Sequence, residues 1–257
     1  MNDPGPIPDR DAEHRSSDVN ARDVFATTHW SVVLNAARND TTTAREALAT
    51  LCQTYWRPLY IYARHRGYSA PDAEDLVQGF FERFLAKNRL EGVTSGKGRF
   101  RAFLLASLKN FLATEWERAQ RQKRGGQFTH FSLDWMLAED RYLQGEANDL
   151  SPDRAYDREW ALTLLDRVLH RLRDECAAEG KSDRFDRLKP FLTASSEEIS
   201  YREIAEQLAV EEGAARVAVH RLRKRYRVLV RETIAETLST SEQVNDEMAS
   251  LFAALRG

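Results

Sequence analysis

The sequence predicts an all-α protein built as two small helical domains joined by a linker. Three observations predict it. From Thr27 onward apolar residues recur at three- and four-residue spacing, and no stretch keeps the two-residue alternation of a strand. An acidic, irregular stretch after Gly125-Gly126 separates two such helical runs. In the second run, SYREIAEQLAVEEGAARVAVHRLRKRYRVLV (200–230) reads as two helices joined by a tight turn. The division that follows is a disordered tail at 1–24, a first domain at 25–125, a linker at 126–153, a second domain at 154–238 and an amphipathic tail at 239–257.

Each element has its own justification. Residues 1–24 carry Pro4, Pro6 and Pro8 and many charges but almost no large apolar side chains, the composition of a disordered segment. Trp30, Val33 and Leu34 give 28–38 a short amphipathic helix. A longer helix at about 43–66 sets Leu48, Leu51, Cys52, Tyr55, Leu59 and Tyr62 on one side, with a kink expected at Pro58 and an end at Gly67. Ser69-Ala70-Pro71-Asp72 then starts a helix at about 70–88, with Pro in the first turn and acids at the positive end of the dipole. After the glycine-rich loop 91–98 comes a helix at about 99–123 with Phe100, Phe103, Leu104, Leu108, Phe111, Leu112 and Trp116. Ser151-Pro152 marks the next helix start, followed by helices at roughly 154–178 and 182–193. Ser200 and Glu203 form a capping-box signature, and Gly213 opens the second helix of the pair. There Ala215, Val219, Leu222 and Tyr226 mark the buried face. Val244, Met248, Leu251, Phe252 and Leu255 give the tail its apolar stripe.

Composition narrows the function classes. Of the 257 residues 42% are hydrophobic and 30% charged, and the formal net charge is −2, so any basic surface is local. The two cysteines, Cys52 and Cys176, are far apart, which argues against a disulfide framework and for a reducing cytoplasm. No apolar run has the length of a membrane span, and the polar N-terminus lacks a signal-peptide core, so a cytoplasmic location is expected. Enzyme-like signals are weak. Gly92…Gly96-Lys97-Gly98 has one residue too few for a phosphate loop and Gly98 where Ser or Thr is needed, and Gly180-Lys181-Ser182 has Glu175 where the first glycine should be. Asp72, Glu74 and Asp75 suit a helix start better than a metal site. The histidines show no ligand spacing, and no catalytic constellation or cofactor site is expected.

A helix pair with a basic second helix is a device for reading the DNA major groove. On that helix Arg216 and His220, one turn apart, suit base edges, and Arg221, Arg223 and Lys224 suit phosphates. The 99–123 helix mixes aromatics with cations, which suits single-stranded DNA, with Lys109, Asn110, Trp116, Arg118 and Arg121 as the candidates. Trp116 suits the core equally well.

The runs DAEDLVQGFFERFL (72–85), GKGRFRAFLLASLKNFLATEWERAQRQKR (96–124) and YREIAEQL…EEGAARVAVHRLRKR resemble, in order, regions 2 and 4 of extracytoplasmic-function sigma factors. Those are the small members of the sigma-70 family of bacterial RNA polymerase initiation subunits. The resemblance covers roughly residues 40–235. It implies a region 2-like domain and a region 4-like helix-turn-helix domain. It also implies docking of 72–85 on the clamp coiled coil of the polymerase's largest subunit, with Asp75, Leu76, Gln78 and Phe81 at the matching positions. The segment 91–124 would hold the melted −10 element and 214–227 would read the −35 element, so the implied partners are core RNA polymerase and promoter DNA. An anti-sigma factor is a further partner the resemblance leaves open.

The chain also departs from that family. Gly79 stands where the family usually has Glu, and Ala214, Ala215 and Val217 replace the usual Thr, Val and Ser. The stretch before the helix pair is longer and lacks a Leu-Pro start. These departures mark a divergent subgroup. Two other classes stay open beside a sigma factor: a helix-turn-helix regulator acting without core polymerase, and a sigma-derived protein-interaction factor.

Overall fold

The computed structural model describes residues 42–86, 99–119, 134–144, 150–194, 200–238 and 243–256. Among them are helices and no strand: α1 (Thr42–His65), α2 (Ala70–Ala86), α3 (Phe100–Ala119), α4 (Trp135–Gln144), α5 (Pro152–Ala178), α6 (Ser182–Leu188), α7 (Tyr201–Leu208), α8 (Glu212–Ala235) and α9 (Val244–Arg256). A 3-10 turn, Lys189–Leu192, follows α6. The tail at 1–24, the helix at 28–38 and the loop at 91–98 fall outside the described residues.

Helix ends follow local chemistry. The Ser69 hydroxyl accepts from the Asp72 amide at 3.3 Å, and Ser151 accepts from the Arg154 amide at 3.4 Å with Pro152 in the first turn, so two starts expected from sequence carry serine caps. Gly67 ends α1 at φ +89°, where the Tyr68 amide reaches back to the Ala63 carbonyl at 3.3 Å. Pro58 lies inside an uninterrupted α1.

The second half of α1 is buried on nearly every side: Tyr55, Trp56 and Leu59 through Ala63 are all core. A helix apolar all round is one that other helices surround. Here α5 packs along it, with α2, α3 and α4 also against it, while α8 and α9 pack on α5. One apolar cluster therefore joins Tyr55, Phe81, Leu104, Trp160, Leu229 and Leu251. It runs across the predicted linker, because α5, expected to open the second domain, lies against α1. A smaller cluster gathers Leu188, Ile204, Ala205, Ala215, Ala218 and Val219 from α6, α7 and the first half of α8. The second half of α8 belongs to the large cluster through Leu229, Val230 and Ile234. That single helix thus anchors the small core to the large one.

Helix α4 lies inside the stretch expected to be linker. Trp135 meets Trp56 edge-on at 4.9 Å between ring centroids, and Ala138 is buried. Glu139 accepts from Arg64 Nη2 and Nε, at 2.8 and 2.9 Å, and from the Tyr60 hydroxyl at 2.5 Å. Burial alone raises the Glu139 carboxyl, but the hydrogen bonds from Arg64 and Tyr60 hold it below the usual range. No helix among the described residues is long and apolar enough to cross a membrane.

Candidate nucleic-acid interface

The α7–α8 pair is built as its sequence suggests. The Ser200 hydroxyl accepts from the Glu203 amide at 3.4 Å, capping α7. Three residues separate the helices. Ala209 takes a left-handed conformation, φ 52°, and lets the Val210 amide bond the Ala205 carbonyl at 3.0 Å. An alanine there carries a strain of roughly 1 kcal/mol that glycine would not. Helix α8 begins at Glu212, one residue before Gly213. Its buried face is Ala215, Ala218 and Val219, so Ala215 is a core residue and does not face outward.

The basic residues of α8 divide into three groups. Arg223 is structural: its guanidinium donates to the Phe191 carbonyl at 2.8 Å and to the Ala194 carbonyl, tying α8 to the turn after α6. Arg225 is also turned inward, donating to both oxygens of Glu175 on α5 at 2.7 and 2.8 Å. This pair belongs to a chain of charges in which Arg171 meets Glu232 at 2.8 Å and Glu236 at 3.4 Å. The hydrogen bonds from Arg225 hold the Glu175 carboxyl below its usual range and push the Arg225 guanidinium up. Arg216 is exposed but held in the free chain, 3.1 Å from Glu212 and stacked 4.4 Å over the Tyr201 ring.

The third group faces water. His220, Arg221 and Lys224 are exposed and have no polar side-chain partner among the described residues. Arg227 and Arg231 continue the same face, and Arg231 bonds the Asn245 side chain at 3.0 Å. From Arg216 to Arg231 the stripe runs about 22 Å at 1.5 Å per residue. Arg231 was missed in the sequence, although a spacing of seven from Lys224 places it on that face.

Helix α3 presents a different picture. Lys109 and Asn110 are both exposed, but Lys109 is paired with Asp153 at the start of α5. Arg101 is 11% exposed, stacked 4.5 Å over Trp160 and ion-paired with Asp157 and with Glu247 of α9 at 2.6 Å. Arg99 meets the same Glu247 at 2.8 Å and donates to Ser250 at 2.7 Å. Trp116 and Arg118 lie on α3, with side chains outside the described set, and Arg121 lies outside the described residues.

On α2 only part of the expected docking set reaches the surface. Asp75 is exposed and Leu76 half-buried, whereas Gln78 is 5% and Phe81 2% exposed. Both are held in the core beside Val77 and Phe80 because they share the inward face of α2. Among the described residues no group of His, Cys, Asp and Glu is placed to hold a metal ion.

What these elements define, across the described residues, is an all-helical structure with a capped helix pair and an outward cationic stripe on the second helix. No protein family, curated protein or solved structure matches the chain.

Proposed function

We propose that the chain is a specificity subunit of bacterial RNA polymerase, acting in the cytoplasm as extracytoplasmic-function sigma factors do. In this reading α7–α8 is a helix-turn-helix whose second helix enters duplex promoter DNA at the −35 element. The α2–α3 region serves polymerase docking and the melted −10 strand. The single observation that carries it is the outer face of α8. His220, Arg221, Lys224, Arg227 and Arg231 line one side of a helix whose opposite side is anchored in two cores. The arginines and the lysine so presented neutralise phosphates and release counterions, while the first turns of the helix meet base edges.

Burial of Gln78 and Phe81 favours a second reading, a helix-turn-helix regulator that acts without core polymerase, since half of the expected docking set is core. One experiment separates the two. The full chain is mixed with core bacterial polymerase, tested for co-migration, and assayed for promoter-dependent run-off transcription. Stable association with promoter-dependent transcripts is the expected result. A folded chain that binds duplex DNA but never joins the core enzyme belongs to the second reading.

A further inference from the structure

Within the cationic face of α8 lies an apolar interruption that the described residues leave uncovered. Val217 is 47% exposed, on the second turn of α8, one residue from Arg216 and three and four from His220 and Arg221. Ala214, one turn earlier, is exposed too, and a Cβ built on Gly213 would meet nothing within 4 Å. The first two turns therefore offer an open approach that ends on two valine methyl groups, with Arg216, His220 and Arg221 to one side. Valine is stiff at χ1 in a helix, so those methyls are held in one place. In the major groove the one apolar feature of the base edges is the thymine C5-methyl group, and small apolar side chains are what contact it.

We propose that Val217 reads a thymine through its C5-methyl group, making Val217 a specificity-determining residue of the site. This rests on α8 being the DNA-reading helix. The cations of the same face hold the backbone and fix the register, and the valine supplies a base-dependent contact that carries no charge. Burying one methyl group corresponds to about a fourfold change in affinity, from ~0.8 kcal/mol per group.

The test starts with selection from a random duplex library by the full chain, in parallel alone and with core polymerase added. Each thymine of the enriched sequence is then replaced by deoxyuridine, which lacks only the methyl. One thymine is expected at which this replacement weakens binding about fourfold. In Val217→Ser that difference should vanish and in Val217→Ala, which keeps one methyl, it should shrink, with the salt dependence unchanged because every phosphate keeps its cation. Both variants alter an exposed side chain, and a thermal melt checks that they fold. Sequence-selective binding with no methyl-sensitive thymine, or a methyl effect that survives undiminished in Val217→Ser, overturns the proposal while leaving DNA reading by α8 intact. Failure to enrich any sequence in either selection overturns both.

Discussion

Helices α3 and α8 carry similar runs of cations in sequence, and the fold uses them in opposite ways. Around α3, Arg99, Arg101 and Lys109 each meet an acid of α5 or α9: Glu247, Asp157 or Asp153. On α8 Arg223 and Arg225 are likewise occupied, but Arg221 and Lys224 meet no acid among the described residues. The difference teaches that a basic run is available to an anionic partner only where the fold leaves it unpaired. The first set fastens helices together. The second is open to a partner.

The sharpest way to break this contrast is at Glu247, whose side chain is 2% exposed and lies between Arg99 and Arg101. Removing one partner of a buried ion pair leaves the other charge uncompensated, so Glu247→Ala should destabilise the fold by about 3 kcal/mol in urea unfolding. A loss under roughly 0.5 kcal/mol, the range of neutral surface substitutions, would mean that the α3 cations do not fasten α9. The contrast with α8 would then fail.

Two variants of α8 should part company in the other direction. Arg221→Ala with Lys224→Ala should leave stability within about 0.5 kcal/mol of the parent. It should also lower the slope of log affinity against log salt by about 2, close to one for each phosphate left without its cation. Arg223→Ala should do the reverse. It takes the donor from the Phe191 and Ala194 carbonyls and should cost about 1–2 kcal/mol of stability, with the salt slope of the folded protein unchanged. Equal effects of the two variants on the slope would erase the distinction between structural and presented cations.

Much of the fold was legible because its signals are local. Ser69 with Asp72, Ser151 with Pro152, Ser200 with Glu203, and Gly67 each announce a helix end within four residues, and the caps form there. The parts that were not legible depend on distant partners. Arg101 meets Glu247 at a separation of 146 residues, and Lys109 meets Asp153 at 44, so their use as fasteners cannot be read from the helix that bears them. Helix α4 was hidden in an acidic stretch because its anchors, Trp56 and Arg64, lie on α1. A local trace of it did exist, in Trp135, Ala138 and Tyr142 at helical spacing. Gln78 is a different kind of miss. Its spacing of three from Phe81 puts it beside a buried residue of α2, and its docking role came from the resemblance alone.

The smallest expected effect tests whether Arg225 belongs with the fasteners. Its partner Glu175 is about one-third exposed, so the pair is screened by water and salt and its contribution to stability is modest. The sign is still definite. Hydrogen bonding from Arg225 lowers the folded-state value of Glu175 below its ordinary 4.5. The stabilisation is therefore fully present above that ordinary value and is lost as pH falls through the lower, folded-state value. Comparing the parent with Glu175→Gln cancels the other carboxylates. The stability difference between the two should be constant from neutrality down to about the ordinary carboxylate value. It should then shrink as the solution becomes more acidic, and high salt should shrink it at every pH. A difference that stays flat through that acid range would show that Arg225 does not depend on an ionised Glu175. Arg225 would then no longer count as fastened through Glu175, and the inward half of the α8 comparison would rest on Arg223 and on the longer Arg225–Glu232 contact at 3.5 Å.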